Sequence, residues 1–392
     1  MQPTPQSERL HLALYGRCNS GKSSLLNALV GQRVAITSSE AGTTTDTVRK
    51  AMEMPGLGAV VWMDTPGLDD QTRLKEERLA QSRQALEQTD LALLLFTDEE
   101  PTVELALLAE LRRREIPVVG VIAQSDRLSD PEGLAVRIEA QTGLKPVITS
   151  AQTGYGVEEL RMRLALLQSP QERLLTEGFC DRGDRVLLVM PQDQSAPKGR
   201  LIQPQVQTLR ELLDRGCLPL CCTPEGMESA LASWKEPPHL IITDSQAFEA
   251  VYALKPAESL LTSFSILFAR YKGDIDLFVA GARRLQTLPP TARILIAEAC
   301  AHAPQQEDIG RVKLPRLLRK RLGEGLQIEV VGGRDFPEDL TPYDLVIHCG
   351  ACLFNRRLVM SRVARAREQE VPMTNYGVAI AALTGILDRI AW

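Results

Sequence analysis

The 392-residue chain has no apolar run of the length that a membrane-spanning helix needs. Residues 1–9 are polar, so the apolar core of an export signal is missing from them. With 50 acidic and 45 basic residues the net charge is −5, which argues against a general nucleic-acid binder. These absences lead us to expect a cytoplasmic protein that binds neither a membrane nor nucleic acid.

Cysteine and histidine are also scarce, with eight and four residues in the chain. Eight cysteines without an export signal indicate a reducing compartment, in which cysteines pack in cores or bind metals. Three of them, Cys217, Cys221 and Cys222, lie together in the middle of the chain. Adjacent cysteines do not easily chelate one ion and no nearby residue completes a ligand set, so we expect these three to pack in a core.

The first motif that carries chemistry begins where an apolar strand, 10–15, ends. Residues Gly16 to Ser23 read GRCNSGKS, which fits the phosphate-binding pattern G-x-x-x-x-G-K-[ST], and a helical pattern follows from Ser24. The glycines let backbone N–H groups wrap the phosphates, and the helix N-terminus adds its positive end. We expect Lys22 to reach the β- and γ-phosphates and Ser23 to hold Mg²⁺.

Two polar segments follow in the order found in switch GTPases. Residues 42–46 read GTTTD, where the hydroxyl and carbonyl of a threonine such as Thr44 are expected to complete the Mg²⁺ shell and sense the γ-phosphate. Residues 64–67 read DTPG and come at the end of an apolar strand. We expect Asp64 in the second shell of the metal and Gly67 near the γ-phosphate.

The guanine-contacting loops are less regular. The specificity motif Asn-Lys-x-Asp reads Ala-Gln-Ser-Asp at 123–126, and Ser150 and Ala151 follow a later strand. A lone carboxylate at Asp126 favours GTP over ATP, whereas loss of the Asn that ties this loop to the phosphate loop predicts lower affinity. The predicted nucleotide set, with Lys22, Thr44 and Gly67 as its catalytic members, is Asn19, Ser20, Gly21, Lys22, Ser23, Ser24, Thr44, Asp64, Gly67, Asp126, Ser150 and Ala151.

Length and patterning predict an α/β protein with several domains. The chain is long enough for two or three cores, and its 44% apolar and 24% charged residues are typical of a soluble protein. Strand-like and helical segments alternate, which predicts mainly parallel sheets. We predict three domains: a doubly wound P-loop sheet in residues 1–170, followed by two smaller α/β domains in residues 171–260 and 261–392.

A second constellation lies near the C-terminus. Cys300-Ala301-His302 is followed, after residues 303–347, by His348-Cys349-Gly350-Ala351-Cys352, and each half comes after a strand-like run. Neighbouring parallel strands would bring both halves to one sheet edge, where open α/β sheets bind ligands. Thiolates and imidazoles suit a soft metal, and three cysteines are one short of an all-Cys iron–sulfur cluster. A Cys₃His zinc site, a redox pair and core packing stay open on spacing alone.

The first domain resembles the TrmE–Era class of GTPases through the asparagine in its phosphate loop, GTTTD and DTPG. In members of that class that potassium activates, the loop asparagine helps to hold K⁺, and Asn19 stands at the matching position. Leu68 follows Gly67, and a leucine cannot orient water as the Ras glutamine does. The resemblance therefore implies slow hydrolysis of GTP, with Mg²⁺ and aided by K⁺.

The order of a GTPase domain, an α/β middle domain and a Cys-x-His…His-Cys-x-x-Cys domain resembles the family of FeFe-hydrogenase maturation GTPases, HydF, over essentially the whole chain. The resemblance implies that Cys300, Cys349 and Cys352 ligate a 4Fe–4S cluster. His302 and His348 are implied as further ligands or as supporting donors.

The same resemblance implies a scaffold and carrier that hydrolyses GTP. Such a protein receives a diiron precursor with CO and CN⁻ ligands, made by two radical-SAM maturases, and delivers it to apo FeFe-hydrogenase. Residues 1–170 would form the GTPase domain, residues 171–260 would join a homodimer, and residues 261–392 would bind the cluster.

Two other classes of protein remain open from the sequence. One is a tRNA-modification or ribosome-assembly GTPase with a zinc-stabilised C-terminal domain, which would bind RNA with a steep salt dependence. The other is a redox-sensing switch protein, whose GTP turnover would change with the oxidation state of its cluster.

Overall fold

The computed structural model describes residues 5–31, 48–68, 82, 84–98, 100–167, 173–192, 199, 201–299, 309–333 and 335–392. The chain divides into two compact units, residues 1–171 and 172–392. Among the described residues, no helix has both the length and the apolar character needed to cross a bilayer.

The first unit is built on a six-stranded sheet with strand order β2-β3-β1-β4-β5-β6. Every neighbouring pair is parallel except β2 and β3. Its strands are β1 (Leu10–Tyr15), β2 (Val48–Met54), β3 (Gly58–Asp64), β4 (Leu91–Phe96), β5 (Val118–Ile122) and β6 (Val147–Ile148). Its helices are α1 (Lys22–Val30), α2 (84–88), α3 (Thr102–Arg113), α4 (Pro131–Thr142) and α5 (Val157–Leu167).

The sequence explains why the central strands of this sheet are buried on both faces. Strand β4 reads LALLLF and all six of its residues are buried, as expected for a central strand of a parallel sheet covered by helices. Alternate residues of β1 face two separate cores, Leu12 and Leu14 on one side and Ala13 and Tyr15 on the other. The P-loop sheet predicted for this part of the chain is confirmed.

The second unit contains two four-stranded parallel sheets. The first has the order β10-β9-β7-β8 and the second β12-β11-β13-β14. The strands are β7 (Arg185–Val189), β8 (Leu218–Cys222), β9 (Leu240–Thr243), β10 (Leu260–Ser263), β11 (Arg293–Ala297), β12 (Gln327–Val331), β13 (Leu345–His348) and β14 (Met373–Asn375). The helices are α6 (Gln203–Asp214), α7 (Met227–Ala232), α8 (Phe248–Leu254), α9 (Phe264–Lys272), α10 (Ile275–Arg284), α11 (Leu314–Leu322), α12 (Arg356–Glu368) and α13 (Tyr376–Leu383).

The two sheets of this unit share one hydrophobic core. Leu187 and Ile241 of the first sheet belong to the same buried cluster as Leu295 and Val346 of the second. The first sheet includes β10, so it extends beyond residue 260, where the sequence suggested a boundary. The α/β fold class, with further α/β sheets after the P-loop sheet, is confirmed.

Candidate functional sites

The phosphate loop connects the end of β1 to the start of α1. Asn19 and Gly21 adopt left-handed backbone conformations, with φ of 59° and 90°. The buried Lys22 Nζ donates hydrogen bonds to the carbonyl oxygens of Gly16, at 2.9 Å, and Arg17, at 2.7 Å. The Lys22 side chain therefore reaches across the phosphate loop, and α1 begins at the same residue. This arrangement suits phosphate binding through backbone N–H groups.

Ser23 and Asp64, the two residues predicted to lie at Mg²⁺, are in direct contact. The Ser23 hydroxyl donates to Asp64 Oδ2 at 2.5 Å, and Asp64 ends strand β3 beside Leu14 of β1. Burial raises the pKa of the Asp64 carboxyl, while the Ser23 hydrogen bond and the Lys22 charge act in the opposite direction.

Two buried oxygens of this region fit a bound Mg²⁺–nucleotide. Asp64 Oδ1 and Ser20 Oγ have no hydrogen-bond partner among the described residues. Because unsatisfied buried polar atoms are rare in native proteins, such atoms indicate an additional ligand or ordered water. Both residues belong to the nucleotide set predicted from the sequence. Ser20 lies in the phosphate loop, and Asp64 lies at the end of β3.

Gly67 lies directly against the phosphate loop. A Cβ at this position would approach the Cys18 Sγ to 2.2 Å and the Cys18 backbone nitrogen to 2.8 Å, so only glycine fits. The Leu68 N–H donates to the Gly16 carbonyl at 3.2 Å, which fixes the start of the second switch segment. Thr44, the residue predicted for the first switch segment, lies outside the described residues.

The two loops predicted to contact the base are held together by one side-chain and one backbone hydrogen bond. The Ser150 hydroxyl donates to Asp126 Oδ1 at 2.5 Å, and the Ser125 N–H donates to the Thr149 carbonyl at 3.0 Å. Ser150 therefore orients the carboxylate that was predicted to read guanine, and Ala151 follows it in the same loop.

Gln124 connects the loop predicted to contact guanine with the phosphate loop, although the sequence suggested that this connection is lost. Its Nε2 donates to the carbonyl oxygen of Asn19 at 2.8 Å, and its side chain lies above Gly21. The tie between the guanine loop and the phosphate loop is therefore present. It is made from the position where the motif has lysine rather than from Ala123, where the motif has asparagine. Only the three-dimensional structure reveals this substitution of roles.

Arg17 is a further loop residue that the sequence did not single out. Its guanidinium donates to Glu104 Oε1 at 3.0 Å, to Asp98 Oδ2 at 2.8 Å and to the Glu100 carbonyl at 2.6 Å. Burial raises the pKa of Glu104, and the Arg17 charge opposes that rise. The phosphate loop is thereby fastened to the segment that starts α3.

The strands that precede the two halves of the cysteine constellation lie side by side in the sheet of order β12-β11-β13-β14. Strands β11 and β13 are parallel neighbours, with Ala297 beside His348, which meets the condition that the sequence argument set. Cys300 and His302 lie outside the described residues. Among the described residues, no cluster of three or more His, Cys, Asp or Glu side chains is arranged for a metal.

The environment of Cys349 fits a metal thiolate. Its Sγ lies 3.1 Å from the Ala299 N–H and 3.4 Å from the Ala351 N–H, and both can donate to it. Ala351 has a left-handed backbone with φ of 47°, and the exposed Cys352 follows it. Hydrogen bonds from backbone N–H groups to cysteine sulfur are among the interactions that tune iron–sulfur clusters.

His348 is enclosed by protein. Its side chain has no exposed surface, Nδ1 lies 2.7 Å from the Cys349 carbonyl oxygen, and Nε2 lies 3.0 Å from Arg362 Nη1. A carbonyl only accepts, so Nδ1 carries the proton and Nε2 accepts from Arg362. Burial and the Arg362 charge lower the pKa of His348 to about 3. Of the two roles left open by the sequence, this geometry favours the supporting donor.

The three middle cysteines have different surroundings. Cys217 is buried, with its Sγ 3.8 Å from that of Cys180, which agrees with core packing. Cys222 is partly buried, whereas Cys221 is exposed on β8, so the expectation of core packing is wrong for Cys221. The outward face of an edge strand accounts for its exposure.

Three family models match successive parts of the chain. The model described as 50S ribosome-binding GTPase matches residues 11–124. The hydrogen maturase F dimerization domain matches residues 175–273, and the hydrogen maturase F tetramerization domain matches residues 276–391.

Among curated proteins, the chain is similar to tRNA modification GTPases named MnmE. The protein from Chromobacterium violaceum is 38% identical over 159 residues, which are 40% of this chain and 34% of the relative. The protein from Nitrosomonas europaea is 36% identical over 174 residues, or 44% of this chain and 37% of the relative. The chain thus spans about a third of the length of these relatives.

Among solved structures, Era in complex with MgGDPNP and nucleotides of 16S ribosomal RNA is 20% identical. It covers 54% of this chain and 92% of its own, with a TM-score of 0.38. The GMPPNP-bound NFeoB from S. thermophilus is 26% identical and covers 40% of this chain and 61% of its own, with a TM-score of 0.33. The fold assignment rests on the strand order itself.

Proposed function

The chain belongs to the hydrogen maturase F family, and from that premise we propose that it is a GTP-hydrolysing scaffold for assembly of an FeFe-hydrogenase. In this proposal it holds a 4Fe–4S cluster, receives a diiron precursor with CO and CN⁻ ligands from two radical-SAM maturases, and transfers that precursor to the apo-hydrogenase.

The observation that carries the proposal is the shared exit of β11 and β13. It brings the backbone N–H of Ala299, the residue before Cys300, within 3.1 Å of Cys349 Sγ. Cys300, Cys349 and Cys352 would hold the cluster, which supplies an electron-accepting iron centre with room for one further ligand. His348 and Arg362 support the loop from inside the sheet.

Each residue of the nucleotide site is proposed to have a separate role. Lys22 would move from the loop carbonyls to the β- and γ-phosphates, while Ser23 and Asp64 would hold Mg²⁺ and its water. Asp126, oriented by Ser150, would accept the guanine hydrogen bonds. We propose that K⁺ at Asn19 supplies the positive charge that an arginine finger provides elsewhere. Hydrolysis is proposed to be slow because Leu68 cannot orient the attacking water, and to time partner binding or release.

The dimer is proposed to form through the first sheet of the second unit. Exposed apolar side chains lie along α6 and the edge strand β8, namely Val206, Leu213 and Leu218, which are 43%, 52% and 57% exposed. We expect Leu218→Glu to lower the mass measured by light scattering to that of smaller species. Leu260→Glu, on the opposite edge of the same sheet, is the matched control and should leave the mass unchanged.

A transfer assay tests the proposed function. The reconstituted protein is incubated with both radical-SAM maturases, re-isolated, and added to apo-hydrogenase, whose hydrogen evolution is measured. We expect activation by the parent protein and by Cys221→Ala, which changes an exposed cysteine on β8. We expect none from Cys349→Ala. Equal activation by Cys349→Ala would refute the proposal.

A tRNA-modification or ribosome-assembly GTPase is the second candidate, because relatives with the name tRNA modification GTPase are up to 38% identical over part of the chain. That likeness covers less than half of the chain, whereas the two hydrogen maturase F models cover residues 175–273 and 276–391. Tight binding of tRNA or ribosomal RNA with a steep salt dependence would favour this alternative.

A further inference from the structure

A buried lysine reaches the loop that carries Cys352. Helix α9 ends at Lys272, whose side chain is 2% exposed. Its Nζ donates to the carbonyl oxygens of Ala351 at 2.8 Å, Phe354 at 2.7 Å and Cys352 at 3.4 Å. The ammonium group therefore lies inside the turn formed by residues 351–354, which begins two residues after Cys349.

Arg356, just after the cysteine loop, donates hydrogen bonds back to the end of α9. Arg356 Nη1 donates to the carbonyl oxygens of Tyr271 at 3.0 Å and Gly273 at 2.8 Å, which flank Lys272. The end of α9 and the cysteine loop are thus joined in both directions by charged donors. Lys272 lies in the part matched by the dimerization domain, and the cysteine loop lies in the part matched by the tetramerization domain.

The hydrogen-bond geometry indicates that Lys272 is charged. Three carbonyl acceptors surround Nζ, and an ammonium has three N–H donors where a neutral amine has two. The C-terminal end of α9 also favours a positive charge. These three hydrogen bonds compensate the burial of the charge, so the ammonium group can stay charged inside the protein.

We propose that Lys272 is a positioning residue of the iron–sulfur site, which fixes the 351–354 turn and places a permanent positive charge beside the cluster. This inference rests on the proposed function. Reduction adds one negative charge to the cluster, so a nearby ammonium in a medium of low dielectric stabilises the reduced form. Net charge and hydrogen bonding are known determinants of cluster potential.

The variants separate the charge from the hydrogen bonds. Lys272→Met removes both at similar length, whereas Lys272→Gln removes the charge and keeps an amide donor. Lys255→Met is the matched control, because Lys255 Nζ also donates to three backbone carbonyls, those of Pro256, Ala257 and Ser259, at 2.8, 3.3 and 2.8 Å. Each full-length protein is reconstituted anaerobically, its iron content is measured, and its midpoint potential is titrated by EPR.

We expect both Lys272 variants to have a more negative midpoint potential than the parent. We also expect Lys272→Met to retain less iron than Lys272→Gln, and Lys255→Met to match the parent in both respects. A parent-like potential in both Lys272 variants would overturn the inference while the proposed function stands, as would an equal shift in Lys255→Met. If the parent itself forms no cluster, the proposed function fails and the inference fails with it. If Lys272→Met does not fold, Lys272→Gln decides the outcome.

Discussion

Gln124 offers the sharpest prediction about the nucleotide site, because a single hydrogen bond connects the loop that reads the base with the loop that holds the phosphates. The bond runs from Gln124 Nε2 to the Asn19 carbonyl over 2.8 Å. Gln124→Glu keeps the size of the side chain and replaces the donor with an oxygen. A neutral hydrogen bond contributes about 0.5–1.5 kcal/mol, so we expect GTP to bind roughly 2- to 13-fold more weakly.

The measurement is isothermal titration calorimetry of parent and variant with GTP and GDP in the presence of Mg²⁺ and K⁺. Both nucleotides should lose affinity by a similar factor, since the bond joins the loops that are proposed to hold the base and the phosphates common to GTP and GDP. Gln124→Lys restores the lysine of the specificity motif and should bind both nucleotides at least as tightly as the parent.

Gln141→Glu is the charge-matched control for this experiment, because it places the same new carboxylate on an exposed glutamine of α4, outside the loops predicted to contact the nucleotide. We expect its affinities to equal those of the parent. Parent-like binding by Gln124→Glu would refute the idea that the tie organises the site. An equal loss in Gln141→Glu would assign the effect to charge rather than to the hydrogen bond.

Two further predictions concern stability. Arg17→Met leaves the buried Glu104 without its cation and should lower the free energy of unfolding, measured by urea titration, by about 1–3 kcal/mol. Arg113→Met, at the exposed pair with Glu110, is the control and should lower it by less than about 1 kcal/mol. Equal losses in the two variants would contradict the argument. Burial raises the pKa of Cys180 from 9.0 to about 12, so the folded state keeps a proton that the unfolded chain loses, and stability should fall by up to about 1.4 kcal/mol per pH unit above pH 9. Cys180→Ala should show a shallower fall between pH 8 and pH 11, and an unchanged slope would count against it.

Local patterns in the sequence were sufficient for the elements that carry the motifs. The strand before the phosphate loop and the helix after it follow from an apolar run, a glycine-rich loop and a helical repeat, and β1 and α1 lie where these predict. Two apolar runs were sufficient to predict the strands β11 and β13, whereas their adjacency was only a condition of the sequence argument, and the structure meets it.

Long-range side-chain pairs could not be predicted in the same way. The partners of Arg17, Gln124 and Lys272 are between 79 and 105 residues away along the chain, and no periodicity links them. The role of Gln124 could not be predicted, because a sequence motif specifies which residue type is present and not which atoms its side chain contacts. The same limit applies to β10, which joins the sheet before residue 260 rather than the one after it.

His348 shows where a sequence signal existed. It ends a strand that otherwise reads LVI, and all four residues of that strand are buried. A polar residue that continues a buried strand is more often enclosed and hydrogen-bonded than presented to a ligand. The contacts with Arg362 and the Cys349 carbonyl fit that interpretation.

The central claim, a 4Fe–4S cluster held by the C-terminal cysteines, is tested most directly by anaerobic reconstitution with iron and sulfide, followed by EPR of the reduced protein. The account predicts a 4Fe–4S signal in the parent protein and in Cys222→Ala, and its loss in Cys300→Ala and Cys349→Ala. Stoichiometric zinc with no reducible cluster in the parent would contradict the account and favour a GTPase that acts on RNA.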